Sequence, residues 1–242
     1  MQNDTNLNNI IVINKVSKVF EPEHDVALRD ASFAVAKGEF LCLIGPSGEG
    51  KSTILELIAG LETASSGTIT KPDSVSMVFQ AGALLPWLNV FENVALGLRT
   101  KKMAEQKIYL EVSKYIEMMG LRGFEEKYPR DLSGGQRQRV GIARALAVDP
   151  AVLLMDEPFS ALDPKTTEEL HKDILKIWED TGKTIVMISH LIEEAVSLAD
   201  HILLIKNHTV DQLFAIDVPR PRRENETTFA REVSRIRKEF FK

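Results

Sequence analysis

Short apolar runs recur along the chain, and each one ends at a polar residue or a glycine-rich turn. Continuous runs of this kind are typical of strands inside a parallel sheet, because such strands are buried on both faces. We therefore predict a mostly parallel sheet built from these runs. They are Phe40 to Ile44, Val75 to Phe79, Val152 to Met155, Thr184 to Ile188 and His201 to Ile205.

Two segments that separate these runs carry apolar residues at helical spacing. They are Pro164 to Asp180, where the proline suits the first turn of a helix, and Ile192 to Leu198. Strands that alternate with helices predict an α/β fold with helices flanking the sheet. Nearer the start, Ile10 to Phe20 and Val26 to Val35 alternate in part and predict an antiparallel strand pair near a sheet edge.

The stretch from about 83 to 148 breaks this alternation, since it contains helical patterns and no convincing strand. We predict that it is a helical subdomain inserted into one domain that spans residues 1–218. The helical patterns cover Val90 to Leu98, Met103 to Met119 and Gly134 to Ala147.

Residues 219–242 are expected to form a linker and a C-terminal helix. The linker, Pro219 to Arg223, has the composition of a solvated segment. The helix carries an apolar stripe, which predicts either a helix docked on its own domain or one that binds a partner. The stripe consists of Phe229, Val233, Ile236 and Phe240.

Composition narrows the location and the partners. The 242 residues carry a net charge of -5, which disfavours a nucleic-acid partner because no basic surplus neutralises phosphates. The single cysteine, Cys42, excludes an internal disulfide. Met1 to Asn9 lacks the features of a secretion signal, and no apolar run is long enough for a membrane-spanning helix. We expect a protein that reaches a membrane only through another protein.

The run Phe40 to Ile44 leads into a loop that matches the phosphate-loop pattern and precedes the helical segment Thr53 to Ala59. Glycines let backbone N–H groups face an anion, and the helix N-terminus adds its positive end. Lys51 can reach the β- and γ-phosphates, and the Ser52 hydroxyl can bind Mg²⁺. The predicted nucleotide-binding residues are Gly45, Pro46, Ser47, Gly48, Glu49, Gly50, Lys51, Ser52 and Thr53.

Glu49 places a carboxylate inside this loop. A side chain turned toward the phosphates would lower the affinity for ATP, whereas one turned away would cost little. The sequence leaves both orientations open.

A second run, Val152 to Met155, ends in the two carboxylates Asp156 and Glu157. We predict that Asp156 holds Mg²⁺ and that Glu157 polarises the water that attacks the γ-phosphate. An acidic pair after a strand can also be a helix N-cap, but the phosphate loop elsewhere in the chain favours catalysis.

The segment Leu132 to Gln136 opens the predicted helix Gly134 to Ala147. Its residues Ser133, Gly134, Gly135 and Gln136 form either a glycine-containing helix cap or a second anion-binding helix start. Together with the phosphate loop and the acidic pair, this segment makes the chain resemble the ATP-binding cassette (ABC) family over nearly its whole length.

The resemblance implies a phosphate-loop NTPase core with an antiparallel β subdomain and an inserted helical subdomain. It implies that the Ser133 segment contacts ATP held by a second copy of the chain, so that a homodimer forms head to tail around two ATP. It also assigns Gln80 and His190 to the γ-phosphate and Gln80 to Mg²⁺. Asp163 belongs to the loop that joins the two sites, and Phe20 either stacks on adenine or belongs to the core.

The segment Ala83 to Val94, together with Val218 to Arg222, resembles the importers of nitrate, taurine and alkanesulfonates. In such importers the segment after Gln80, up to about Phe91, receives a helix of the membrane permease, and Trp87 is the candidate anchor there. An extracytoplasmic solute-binding protein would act indirectly, and the chain would lie on the cytoplasmic face of the membrane. The alternatives are a soluble cassette ATPase that acts on nucleic acid or ribosomes, an importer subunit for thiamine precursors, and a catalytically inactive cassette.

Overall fold

The computed structural model describes residues 8–22 and 25–242, so most of the polar start Met1 to Asn9 lies outside the described residues. The chain divides into two compact units. One comprises Met1–Asp73 and Gly182–Lys242, and the other comprises Ser74–Thr181. None of the helices in the described part of the chain is long and apolar enough to cross a membrane.

Strands and helices follow the predicted alternation in the described residues. In chain order they are β1 (Asn9–Phe20), β2 (Asp25–Ala36), β3 (Phe40–Ile44), α1 (Lys51–Ala59), β4 (Ser66–Thr70), β5 (Val75–Val78), α2 (Val90–Thr100), α3 (Glu105–Met118), α4 (Gly134–Ala147), β6 (Val152–Asp156), α5 (Pro164–Thr181), β7 (Thr184–Ile188), α6 (Ile192–Leu198), β8 (His201–Lys206), β9 (Thr209–Ala215) and α7 (Glu226–Phe240).

The first unit contains an antiparallel sheet with the order β2-β1-β4. The predicted pair is present, since β1 and β2 run antiparallel along most of their length. The third strand, β4, escaped the sequence analysis because its residues are exposed or half-buried and give no apolar run.

The first unit also contains three neighbouring parallel strands in the order β7-β3-β8, with β9 antiparallel at the side of β8. Every residue of β3 and β7 is buried, as a strand covered on both faces requires. The shared register places Leu43 opposite Ile188, so β3 and β7 end at the same edge. The loops that leave these two strands therefore begin side by side.

The second unit contains β5 and β6, which pair in parallel with Val78 opposite Met155. Three of the four residues of β5 are only half-buried, so the prediction of a strand buried on both faces is wrong for β5. The physical reason is that β5 is an edge strand, which pairs with β6 on one side. Residues 83–148 hold α2, α3 and α4 and no strand; the limits of a separate helical subdomain stay a prediction.

Most of the predicted linker, Pro219 to Arg223, is exposed, but Arg222 is an exception to the prediction of a solvated segment. Arg222 is 3% exposed, and its guanidinium donates hydrogen bonds to the carbonyls of Val218, Val196, Ala199 and Ile216. Two of these carbonyls belong to the end of α6 and the residue after it, where helical partners are missing. Burial lowers the pKa of Arg222 to about 10.

The helix α7 is docked on its own unit. Val233 and Ile236 are buried, and Phe229 and Phe240 are half-buried. Arg237 forms an ion pair with Glu193 of α6, and Arg235 donates to the Ala215 carbonyl. Of the two alternatives for the apolar stripe, the structure shows the intramolecular one.

Candidate functional site

The phosphate loop follows β3 and ends where α1 begins. Gly45 is buried, whereas Ser47 and Gly48 are exposed at the turn of the loop. Gly50 precedes α1 in a left-handed conformation, with φ of 88°, and no side chain caps this helix start. A helix start without a side-chain cap is the arrangement in which a phosphate loop presents backbone N–H groups to an anion.

Gly50 is required by both backbone conformation and space. A Cβ atom at this position would lie 2.0 Å from the carbonyl oxygen of Ala27 in β2, which is far inside van der Waals contact. Gly48 has a similar φ of 85°, yet a Cβ atom there would meet nothing within 4 Å. The two glycines share the conformational constraint, but only Gly50 is also fixed by packing.

We expect Gly50→Ala to unfold far more easily than Gly48→Ala. The left-handed backbone costs both variants about 1 kcal/mol, and the overlap with Ala27 adds roughly 2 kcal/mol or more to Gly50→Ala alone. Urea unfolding of both variants measures the difference directly. Equal losses would show that the close approach to Ala27 is not rigid.

Lys51 is 5% exposed and folds over its own loop. Its Nζ donates to the carbonyl oxygens of Gly45 at 2.9 Å and Pro46 at 2.6 Å. The ammonium therefore spans the loop, where an incoming phosphate can replace or join these acceptors. Ser52 is exposed, and Thr53 is buried in the first turn of α1.

The carboxylate of Glu49 is engaged outside the phosphate loop. Its Oε2 accepts a hydrogen bond from the backbone N–H of His208, at 2.7 Å, in the turn between β8 and β9. The carbonyl of His208 in turn accepts from the N–H of Arg29 in β2. Of the two orientations that the sequence left open, the structure shows a carboxylate held by the β8–β9 turn.

His190 follows β7 and is exposed. The phosphate loop follows β3, which pairs with β7 in parallel, so both predicted elements lie at the carboxyl edge of the same strands in the first unit. Ligands of α/β sheets commonly bind at this edge. The structure thus brings His190 and the phosphate loop to one edge of the sheet.

Phe20 ends β1 and is half-buried. The Nζ of Lys18 lies 4.6 Å from the centre of its ring and forms an ion pair with Glu62 at 2.6 Å. One ring face therefore carries a cation. Whether Phe20 stacks on adenine stays a prediction.

The second unit brings Gln80 and Glu157 together. They follow the paired strands β5 and β6, and the Gln80 Nε2 atom lies 3.5 Å from Glu157 Oε2 and 3.1 Å from the Ser160 hydroxyl. Glu157 has φ of 46°, a left-handed conformation that is costly for a residue with a side chain. Such strain often accompanies functional sites. Asp156, the last residue of β6, is half-buried.

Ser133 and Gln136 form a reciprocal cap at the start of α4. The Ser133 hydroxyl accepts from the N–H of Gln136, and the Gln136 side chain accepts from the N–H of Ser133. The helix cap that the sequence offered as one alternative is therefore present in the single chain. Ser133 is exposed, so its outer side remains accessible to a further ligand.

The start of α4 packs against the beginning of α5. A Cβ atom on Gly135 would lie 2.5 Å from the Thr166 Cγ2 atom, and one on Gly134 would lie 3.7 Å from the Ala161 carbonyl oxygen. Asp163 caps α5, since its carboxylate accepts from the hydroxyl and N–H of Thr166. These hydrogen bonds lower the pKa of Asp163. The Ser133 segment and the loop containing Asp163 are thus neighbours.

Trp87 is 70% exposed on the loop between Gln80 and α2. Sequence analysis missed the residue that shapes this loop, Asn93, which is fully buried. Its side chain accepts from the N–H of Leu85 and donates to the carbonyls of Leu85, Leu88 and Asn89. A buried amide with several loop partners holds the backbone around Trp87 in one shape.

Arg144 of α4 is a second residue that sequence analysis missed. Its guanidinium donates to two successive carbonyls after Gln80, those of Gly82 at 2.9 Å and Ala83 at 3.0 Å. Burial lowers the pKa of Arg144. The helix that begins at the Ser133 segment therefore grips the segment that follows Gln80. No sequence pattern identifies Asn93 or Arg144, because the backbone carbonyls to which they donate are brought near them only by the fold.

Comparison with known proteins places this arrangement in a family. The family model described as ABC transporter matches residues 28–160, which is more than half of the chain and includes the phosphate loop, the Ser133 segment and the acidic pair. The chain belongs to the ABC transporter family. The predicted resemblance is confirmed.

Relatives of this ABC family member include import proteins for different solutes. The chain is 44% identical to a nitrate import ATP-binding protein of Synechocystis, over 80% of this chain and 77% of that one. It is 48% identical to a taurine import ATP-binding protein of Yersinia pestis, over 74% and 73%. It is 42% identical to a spermidine/putrescine import ATP-binding protein of Mycoplasma capricolum, over 85% and 61%.

Solved ABC structures share the fold. A dimeric ATP-binding cassette in a post-hydrolysis state, bound to ADP and Pi, is 32% identical with a TM-score of 0.77, over 85% of this chain and 98% of that one. A cassette of Clostridium perfringens that is part of an ABC transporter complex is 26% identical with a TM-score of 0.81, over 93% and 94%. The predictions of an α/β cassette fold, of ATP binding and of an ABC ATPase are confirmed.

Proposed function

We propose that this ABC ATPase powers an importer of a small solute by closing head to tail on a second copy of itself around two ATP. The observation that carries the proposal is the phosphate loop of an ABC family member, in which the Lys51 ammonium donates to the carbonyls of Gly45 and Pro46 at the start of α1. The dimeric solved relative supports the closed pair.

Residues 45–53 would bind the phosphates, and Phe20 the adenine. Ser52, Gln80 and Asp156 would hold Mg²⁺, which would neutralise charge on the phosphates. These residues supply a hydroxyl, an amide oxygen and a carboxylate, the hard oxygen ligands that Mg²⁺ prefers. Within the described residues no cluster of three or more acidic, histidine or cysteine side chains could hold a metal alone. This donor set fits an ion that binds together with a nucleotide.

Glu157 would act as the general base for the attacking water, and His190 would contact the γ-phosphate and orient that water. Gln80 would sense the γ-phosphate, since its amide already lies within 3.5 Å of Glu157. A carboxylate near a positioned water removes the proton as the oxygen attacks. The strained backbone of Glu157 supports this role.

The partner's nucleotide would meet Ser133, Gly134, Gly135 and Gln136 of this chain, with Asp163 in the loop between the sites. The N-terminus of α4 supplies the positive end of a 14-residue helix, and Ser133 is exposed there. Each ATP would then be gripped by two chains. ATP binding would close the pair, and hydrolysis would open it.

The exposed Trp87 loop, in the segment from Gln80 to Phe91, would dock a cytoplasmic helix of the permease. Its 70% exposed indole and a backbone fixed by Asn93 form a rigid aromatic anchor, which is a common interface feature. The chain would lie at the cytoplasmic face of the membrane, and an extracytoplasmic solute-binding protein would act indirectly.

The solute is proposed as nitrate, taurine or an alkanesulfonate, after the names of two relatives. A polyamine importer relative of similar identity and a thiamine-precursor importer keep the choice of solute a matter for experiment. A soluble cassette acting on nucleic acid or ribosomes is a weaker candidate, because the charge of -5 supplies no basic surplus. An inactive cassette would be expected to lack Glu157 or His190.

Reconstitution with the permease tests the proposal. Vesicles that contain the permease, the solute-binding protein and this chain should take up one of nitrate, taurine, methanesulfonate, spermidine or thiamine when ATP is inside. Trp87→Ala should reduce uptake at least about tenfold while ATP hydrolysis by the isolated chain is retained.

Phe241→Ala is the matched control, because Phe241 is 75% exposed and lies at the other end of the chain. It should leave uptake within about twofold of wild type. Uptake that is unaffected by Trp87→Ala would exclude this loop as the permease anchor.

A further inference from the structure

A buried carboxylate lies close to the exposed His190 and is not used by the proposed function. Glu194 is 8% exposed, in the first turn of α6. Burying a charged group is costly unless hydrogen bonds compensate it. This carboxylate accepts a hydrogen bond from the hydroxyl of Ser189, the residue before His190, at 2.6 Å from Glu194 Oε2.

Ser189 holds both sides of His190 through this hydroxyl. The hydroxyl accepts from the N–H of Leu191, the residue after His190, at 3.0 Å. For its single proton, the Glu194 carboxylate at 2.6 Å is a nearer acceptor than the Leu191 carbonyl at 3.2 Å. The Ser189 N–H donates to the Leu43 carbonyl of β3. The backbone of this loop is thus tied to the strand that leads into the phosphate loop.

The helix α6, which carries Glu194, is held by hydrogen bonds at both of its ends. Its own N–H donates to the Leu191 carbonyl at 3.1 Å, and no side chain otherwise caps α6. At the far end of α6, Arg222 occupies the carbonyls of Val196 and Ala199. A carboxylate on such a helix can hold Ser189 with little freedom.

The groups around Glu194 are of mixed charge. Burial raises its pKa, the hydrogen bond from Ser189 and the nearby Arg223 and His190 oppose this rise, and Glu193 adds to it. Cys42 of β3 faces the same region and is fully buried. The carboxyl oxygen can accept the Ser189 hydroxyl in either protonation state.

We propose that Glu194 is a positioning residue for hydrolysis, which holds His190 in its working place through Ser189. The inference rests on the proposed function, because it requires His190 to orient the attacking water. A small displacement of a positioned group lowers the rate of the chemical step much more than it lowers binding.

The test measures ATP hydrolysis and ATP binding by the full chain. Glu194→Ala should lower kcat about tenfold and leave KM within about twofold, because phosphate binding by the loop is intact. Ser189→Ala removes the other half of the hydrogen bond with little change in volume and should give the same loss. Glu194→Gln keeps an oxygen acceptor for Ser189 and should retain kcat within about twofold.

Glu193→Ala is the matched control, since its carboxylate is the neighbouring one and pairs with Arg237 at the surface. It should retain kcat within about twofold. A double-mutant cycle distinguishes a role of Glu194 that acts through His190 from a merely structural role. If Glu194 acts through His190, then His190→Ala combined with Glu194→Ala should be no slower than His190→Ala alone.

Two results would overturn the inference while leaving the proposed function intact. One is an unchanged kcat in both Glu194→Ala and Ser189→Ala, and the other is a double variant whose loss equals the product of the two single losses. If the wild-type chain hydrolysed ATP no faster than Lys51→Ala, that result would instead refute the proposed function, and the proposed role of Glu194 would be refuted with it.

Discussion

Glu157→Gln is expected to bind ATP as tightly as the wild type and to hydrolyse it at least about a hundredfold more slowly. The amide has the shape of the carboxylate but cannot take a proton from water. Because the side chain keeps its length, its contact with Gln80 and the strained backbone at the end of β6 should persist. Phosphate release measures hydrolysis, and size-exclusion chromatography should show a dimer that accumulates with ATP and Mg²⁺.

Glu168→Gln is the control for this prediction. Glu168 lies on α5 with its side chain largely exposed, and it forms an ion pair with Lys172 of the same helix at 2.8 Å. This variant should hydrolyse ATP at the wild-type rate and show no lasting dimer. A Glu157→Gln chain whose elution does not change with ATP, or whose hydrolysis falls less than tenfold, would remove Glu157 from the role of general base.

Two inactive variants are expected to rescue each other when mixed. Lys51→Ala disables the phosphate loop, and Ser133→Arg places a bulky cation at the start of α4. Neither homodimer then has a working site. A mixed dimer keeps one working site, which is built from the intact phosphate loop of one chain and the intact Ser133 segment of the other. Trapping of radiolabelled ATP should rise from background to about one ATP per mixed dimer.

The matched control replaces Ser133→Arg by a chain that carries both Ser133→Arg and Lys51→Ala. No mixed dimer of that pair has a working phosphate loop, so trapping should stay at background. Ser133→Arg also removes the cap on Gln136, at a cost of about 1 kcal/mol, and thermal unfolding should confirm that the chain stays folded. If the rescuing pair forms mixed dimers that never trap ATP, the assignment of Ser133 to the partner's nucleotide is wrong.

Much of the core sheet could be predicted because burial on both faces leaves a continuous apolar run. Thr184 to Ile188 matches β7 without a shift, and Phe40 to Ile44 matches β3. The strands β4 and β9 could not be predicted in this way, since each is mainly exposed or half-buried and leaves no continuous apolar run. Each is held in its sheet by antiparallel pairing, β4 with β1 and β9 with β8.

The candidate site shows a similar division. The cap of Ser133 and Gln136 follows a local pattern, in which the fourth residue of the motif reaches back to the first. Asn93, Arg144 and Arg222 carry no such pattern, because each is satisfied by carbonyls whose position depends on the fold. Composition predicted the exposure of the segment around Arg222 but not the burial of Arg222 itself.

Glu49 illustrates a constraint that reaches beyond its own loop. Since its carboxylate is held by the N–H of residue 208 and not by a side chain, His208 can be replaced by any residue that keeps this donor and tolerates the left-handed backbone there. Proline is the exception, because it lacks that donor and cannot adopt the φ of 62° found there. Sequence change at the tip of the β8–β9 hairpin is therefore compatible with nucleotide binding, whereas a proline at position 208 would release the Glu49 carboxylate within the phosphate loop.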